Sequence, residues 1–254
     1  MFNTHTIYSK ILKMEKRLTV YIPNSTNGPY RILFMHDGQN LFFPELSYAG
    51  VTWDAAIKLQ ELINDNLIPP TLIVGIDHSI YRMDEYVPFN NDGIYENFSD
   101  KHRKPYFGNL YIKSIVEEIL PFIESNYMVL KEYTYMAGSS LGGLISLYAG
   151  IKYQKVFKGI GIFSLSTWWN ENGLDELLTF DDKLNQRYFI LCGGNESGDN
   201  NPIKNERYIL SSKKTYENLK TKVESIKFKL IPHGKHTEQF WQDHVKKMML
   251  YLIK

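Results

Sequence analysis

Cysteine is nearly missing from this sequence: Cys192 stands alone among 254 residues. One thiol closes no disulfide within the chain, which suits a reducing compartment and excludes a disulfide-stapled scaffold. An excess of charge of one sign is missing too. Lys and Arg number 29 against 28 Asp and Glu, a formal net charge of +1, and there is no lysine/arginine block or basic–aromatic interleaving. A polyanion-binding surface, and nucleic acid as a partner, are therefore not expected. No apolar run approaches the ~20 residues of a spanning helix. The opening stretch from Met1 to Ile7 shows no basic segment followed by an apolar one. Neither membrane association nor a signal peptide is read, and the expected location is cytoplasmic. Repeats, low-complexity tracts and linkers are also absent. What is left is an ordinary globular composition, 43% apolar and 22% charged, at a length that one core can serve. One domain over residues 1–254 is expected.

The apolar pattern alternates between strand and helix. Residues 6–12 and 17–22 read as strands around a charged turn at 13–16, and 31–35 as a third strand running into His36-Asp37-Gly38-Gln39-Asn40. A helix is expected over 52–67, capped by Thr52 and ended by Pro69-Pro70, before an apolar strand at 71–76. Residues 78–104 have no regular period, and a loop that long is usually functional. A helix at 110–127 should kink or break at Pro121. Strands at 133–137, 159–163, 187–191 and 226–231 follow, with helices over 141–153, 206–222 and 236 to the end, and a loop at 164–172. This order predicts an α/β fold with a mainly parallel sheet and helices on both faces.

Gly138-Ser139-Ser140-Leu141-Gly142 lies between a strand and a helix and fits G-x-S-x-G. In that motif a serine occupies a sharp turn that lifts its hydroxyl above the sheet edge, while the following helix aims its first amides at the place where an oxyanion forms. Ser140 is thus the candidate nucleophile. Choosing Ser139 instead would break the glycine spacing. A serine hydroxyl needs a base, and histidine has the pKa for that task. His233 and His236 both follow the last strand, in the loop beyond a carboxyl strand end where working residues gather. His236, after Gly234 and at the start of the closing helix, is the expected base. The two are not read as a metal pair, since no carboxylate or cysteine cluster completes a ligand set, and no cofactor or metal is expected.

The base in turn needs a carboxylate to fix its tautomer, placed in the chain between nucleophile and histidine. Glu196 follows the strand at 187–191 after the pair Gly193-Gly194, which would let the loop turn; Asp199 is the substitute. For the oxyanion, the Leu141 N–H is one donor and Gln39 supplies the second, with Gly38 and Asn40 as neighbours in the same loop. His36 precedes the serine, in an order foreign to such sites, and is read as shaping that loop.

With these residues in place, the chain resembles the putative esterase (esterase D-like) family of α/β-hydrolases. That family includes enterochelin and trilactone siderophore esterases, feruloyl esterases and S-formylglutathione hydrolases. The resemblance is carried, in family order, by Met35 to Phe42 (MHDGQNLF), Arg82 to Tyr86 (RMDEY), Gly138 to Gly143 (GSSLGG), Phe163 to Trp169 (FSLSTWW), Gly193 to Glu196 (GGNE) and Gly234 to Trp241 (GKHTEQFW). It implies an α/β-hydrolase fold and serine ester hydrolysis through an acyl-enzyme, with Ser140, Glu196 and His236 as the triad and a small-molecule ester as partner. An acyltransferase or a thioesterase would use the same triad. The chain departs from the family at Gly194, where relatives often carry threonine, and at Ser166, which follows Leu165 where many relatives have Ser-Pro. Segments 78–104 and 164–172 lie beyond strand ends on the side of Ser140. They are expected to wall the pocket, with Trp168 or Trp169 as an aromatic surface. Arg82 and Arg103 are expected either to meet an anionic substrate group or to pair with Asp84, Glu85 or Asp100.

Overall fold

The computed structural model describes residues 1–24, 27–89, 106–167, 170–199 and 201–254. Its frame is one eight-stranded sheet in the order β1-β2-β4-β3-β5-β6-β7-β8. The strands are β1 (Phe2–Ser9), β2 (Met14–Tyr21), β3 (Tyr30–His36), β4 (Thr71–Ile76), β5 (Val129–Ser139), β6 (Phe157–Phe163), β7 (Leu184–Gly193) and β8 (Val223–Ile231). Pairing from β4 through β8 is parallel, and the hairpin β1–β2 joins antiparallel through β2 to β4. Strands covered on both faces need continuous apolar runs, and β4 (TLIVGI) is buried at every position. The edge strand β1 instead alternates exposed and half-buried residues.

Helices α1 (Ala55–Asn64) and α8 (Glu238–Ile253) cover one face, where Leu59, Leu62, Met248 and Leu252 meet Leu33, Met35 and Phe189. The other face carries α5 (Leu141–Lys152), α6 (Glu171–Leu178), α7 (Pro202–Leu219) and a long helix before β5, around Ile32, Phe34, Met136 and Ile160. Close contact of α8 depends on small residues below it. A Cβ built on Gly161 of β6 would stand 2.9 Å from the Ala137 Cβ and 3.0 Å from Met248. The far end of α8 is held at the amino ends of the strands. Arg31 donates to the Ile253 carbonyl, and Arg187 to the Lys254 carbonyl at 3.0 Å, so two cations satisfy acceptors at the helix C-terminus.

Several expected boundaries move. The first strand begins at Phe2, and the β1–β2 turn falls at residues 10–13 rather than 13–16. Helix α1 starts at Ala55, after Asp54 in a left-handed conformation, and the Thr52 hydroxyl serves Asp54 instead of capping the helix. Pro121 does not break its helix. α3 (Gly108–Ser114) and α4 (Leu120–Asn126) run together through a π turn at Ile115–Ile119. A proline lacks the N–H for the Glu117 carbonyl and crowds it, and widening the preceding turn relieves both problems. Two helices were not expected: α2 (Arg82–Tyr86), within the stretch without regular period, and α6, which begins at the end of the expected 164–172 loop and whose N-cap Asn170 accepts the Gly173 N–H. Among the described residues no helix is long and apolar enough to cross a membrane.

Candidate active site

β5 ends at Ser139 and α5 starts at Leu141, leaving Ser140 between them at φ 58°, ψ −122°. For a residue with a Cβ such a backbone costs on the order of 1–3 kcal/mol. It is held by the Ser140 N–H donating to the Phe163 carbonyl at 2.9 Å, while its own carbonyl accepts the N–H groups of Gly143 and Leu144. Gly138 is required by packing: a Cβ there would lie 2.7 Å from the Gly142 backbone and 2.9 Å from the His36 ring. Among the described residues neither the Leu141 N–H nor the Gln39 N–H is taken by another hydrogen bond, and Ser140 Oγ has no partner.

Glu196 and His236 meet because two loops press together through glycine. A Cβ on Gly193 would fall 2.2 Å from the Gly234 carbonyl, and one on Gly234 would strike the Phe240 ring at 2.5 Å. At Gly194 a Cβ would stand 2.4 Å from the Pro232 carbonyl, so a threonine at this position would require a different loop path. The glycine pair thus serves close approach rather than turning, since neither residue has a positive φ. The Asn195 N–H bonds to the Gly234 carbonyl and the His236 N–H to the Glu196 carbonyl. With the loops fixed, Glu196 Oε1 accepts the Gly193 N–H at 2.6 Å and Oε2 faces His236 Nδ1 at 2.9 Å, its side chain wholly buried. A carboxylate on Nδ1 leaves Nε2 as the ring nitrogen able to take up a proton. The imidazole lies between Tyr208, 5.2 Å away between ring centres, and the edge of Trp241 at 5.1 Å. Trp241 Nε1 in turn donates to Ser164 Oγ at 2.9 Å, one residue past the carbonyl that holds Ser140.

The loop expected to supply the second oxyanion donor is a 3₁₀ turn, Gly38–Asn40, directly after β3. Asp37 before it adopts φ 54°, ψ 50° and is buried. Arg82 grips the Asp37 carboxylate with Nε to Oδ1 at 2.6 Å and Nη2 to Oδ2 at 2.7 Å, and the Asp37 N–H donates to Tyr86 Oη at 3.0 Å. Burial alone would raise the Asp37 pKa, but the Arg82 charge and its hydrogen bonds reverse this and hold the carboxyl below its ordinary value. His36 is fully buried beneath the elbow and pairs through Nδ1 with Tyr111 Oη at 2.9 Å. Desolvation holds it neutral, with a pKa lowered to about 3. Cys192 is no rival nucleophile, because burial, aided by Glu196, pushes its thiol up to about 12.

The structure thus brings Ser140, Glu196, His236, Leu141 and Gln39 to the carboxyl ends of the strands. Asp199 is exposed and bonds to Asn195; His233 is exposed; Ser139 is buried within β5. Arg82 engages Asp37, a partner outside those expected for it, while Glu85 pairs with Lys16. Trp168, Trp169, Arg103 and Asp100 lie outside the described residues. Tyr208, Trp241 and Asp37 border the candidate site without an expected role. Trp241 and Asp37 sit within stretches already singled out for His236 and Gln39, whereas Tyr208, on α7, carried no local signal.

A strained serine between strand and helix, at the carboxyl end of a mostly parallel sheet covered on both faces, is the framework of an α/β-hydrolase. Comparison with known proteins narrows the class. The family model described as Putative esterase matches residues 9–252, and the chain belongs to that family. A Bacillus subtilis (strain 168) protein, YbbA, described as uncharacterized, is 27% identical over 216 residues, 82% of this chain and 79% of its own. Among solved structures, an IroE-like serine hydrolase from Shewanella oneidensis superposes with a TM-score of 0.79 at 18% identity, over 97% of this chain and 79% of that one. The BES protein from Bacillus cereus gives 0.74 at 18% identity, over 100% and 96%. The enterobactin esterase FES from Shigella flexneri gives 0.74 at 19% identity and covers 98% of this chain, which spans only 58% of that enzyme.

Proposed function

We propose that the protein is a serine carboxylic-ester hydrolase working through an acyl-enzyme. Ser140 Oγ attacks the substrate carbonyl carbon as His236 Nε2 takes its proton. The resulting oxyanion accepts the N–H groups of Leu141 and Gln39. Collapse breaks the ester C–O bond and His236 returns the proton to the departing alkoxide, leaving Ser140 acylated. Water, deprotonated by the same imidazole, then attacks the acyl carbon and releases the acid. Glu196 holds the tautomer and stabilises the imidazolium. The observation that carries this reading is the 2.9 Å hydrogen bond between His236 Nδ1 and a wholly buried Glu196 carboxylate that also accepts the Gly193 N–H. Substrate binding aligns Ser140 Oγ with Nε2, a tightening common in hydrolases.

Bulky or aromatic esters are the proposed substrates. Support comes from structural neighbours titled as an enterobactin esterase, solved in the presence of enterobactin, and as a ferulic acid esterase. Trp168 and Trp169 are proposed to form the aromatic surface. A kcat/KM panel of enterobactin, a feruloyl ester, S-formylglutathione and p-nitrophenyl acetate tests this, with and without an added alcohol. Hydrolysis with the highest kcat/KM on a trilactone or feruloyl ester is expected, lowered in Trp168→Ala or Trp169→Ala. Preference for S-formylglutathione would make the protein a thioesterase, and acyl transfer outrunning hydrolysis would make it an acyltransferase.

A further inference from the structure

We propose that Asp37 and Arg82 are positioning residues that fix the second oxyanion donor and cancel a negative charge beside it. The proposal rests on the serine-hydrolase reading above. Asp37 is the residue from which the oxyanion turn is built: its carbonyl accepts the Asn40 N–H at 2.8 Å, which closes the turn around Gln39. Its left-handed backbone is costly for a non-glycine residue and needs outside restraint. Three bonds from α2 supply it, two from the Arg82 fork and one from Tyr86.

α2 is itself anchored. Glu85 forms a buried pair with Lys16 at 2.8 Å and accepts the Ser79 N–H at 3.0 Å, and the Asp84 carbonyl accepts the Phe107 N–H at 2.8 Å. On the other side, Gly38 is wedged so tightly that a Cβ would meet Asp77 at 2.6 Å and the Gly75 backbone at 2.7 Å. The Gln39 Oε1 accepts the His78 N–H at 3.3 Å. Gln39 therefore sits on a turn pinned at both ends, with Asp37 as the adjustable one.

The same carboxylate lies against the elbow, since a Cβ on Gly142 would be 3.5 Å from Asp37 Oδ2. A bare anion there would oppose the negative charge that develops beside Leu141 and Gln39, in a site of low dielectric. Arg82 neutralises it. Loss of Arg82 therefore harms catalysis twice, by freeing the turn and by unmasking the charge, and the second harm disappears when Asp37 is also made neutral.

The test measures kcat and KM for p-nitrophenyl acetate, and Ki for a trifluoromethyl ketone, which binds as an oxyanion, in Arg82→Gln, Arg82→Lys and Asp37→Asn/Arg82→Gln. Rates are taken per Ser140 that a fluorophosphonate labels, so a wild type without label or turnover refutes the hydrolase reading, not the positioning role alone. Arg82→Gln should lose about 10²-fold in kcat, the scale of one oxyanion donor, with KM nearly unchanged and Ki raised in proportion. The double variant should regain about tenfold, as removal of an opposing charge requires. Arg82→Lys, which keeps the charge without the fork, should fall between wild type and Arg82→Gln and supplies the kcat and Ki comparison should the glutamine variant not fold. Raised KM at unchanged kcat would make Arg82 a substrate-binding residue, and lowered thermal stability at unchanged kcat and Ki would make the pair purely structural; either overturns the proposal. A double variant no better than Arg82→Gln overturns the charge-cancelling half.

Discussion

At the scale of single residues, the site rests on buried polar groups held by specific partners. Glu196 has its two oxygens on separate donors, the Gly193 N–H and His236. Glu196→Gln should lower kcat by about 10³–10⁴-fold with little loss of thermal stability, while Asp199→Asn, exposed and bonded to Asn195, should leave kcat near wild type. A larger effect at Asp199 would reverse the assignment of the acid. His36 makes a prediction about stability. Its folded pKa is depressed to about 3, chiefly by desolvation, from 6.5. The unfolded chain therefore binds the proton first. Stability from neutral His36 is fully present above pH 6.5 and is lost as pH falls from there toward 3. At about 1.4 kcal/mol per pH unit, roughly 2 kcal/mol should disappear between pH 6.5 and 5. Denaturant melts of wild type and His36→Asn over that window should show the slope in wild type and a flatter one in the variant. Equal slopes would place the pH dependence elsewhere, for instance at the partly buried His244, whose pKa is also lowered by burial.

At the scale of elements, the loops after β7 and β8 act as one unit. Gly193→Ala places a Cβ 2.2 Å from the Gly234 carbonyl, so the loops must part and carry Glu196 away from His236. A loss of about 1–3 kcal/mol in stability, with kcat down by more than the stability loss explains, is expected from melts and initial rates. Unchanged kcat would show that the loops tolerate separation. What could be read of such elements in advance divides along physical lines. β4 and the elbow were legible because a doubly covered strand must be apolar throughout and because the turn's backbone confines its residue types. α2 was not, because its five residues are held by tertiary polar bonds, Arg82 to Asp37 and Glu85 to Lys16, rather than by an apolar period. The real role of Gly193 and Gly194 was hidden for the same reason: their close neighbours, Gly234 and Pro232, lie some forty residues along the chain. Pro121 misled because a π turn absorbs what an α turn does not.

For the whole molecule, the sheet separates two jobs. Its carboxyl ends gather Ser140, Glu196, His236 and the Gly38–Asn40 turn. Its amino ends fasten the C-terminal helix through Arg31 and Arg187. Arg31→Ala removes the bonds to the Ile253 carbonyl and Tyr135 and the stacking on Tyr133, and should cost about 1–2 kcal/mol of stability while leaving kcat/KM unchanged. A fall in kcat/KM at full folding would show the two ends to be coupled. The strand–helix alternation announced this architecture, because it leaves few ways to bury both sheet faces; the antiparallel entry of β2 beside β4 depended on contacts that sequence order does not encode. The central claim, that Ser140 is the nucleophile of an acyl-transfer site, is tested most directly by intact-mass and peptide mapping after treatment with a fluorophosphonate. One adduct per chain is expected, on Ser140, absent from Ser140→Ala and slowed in His236→Ala. An adduct that persists in Ser140→Ala, or one mapped to another residue, would contradict it.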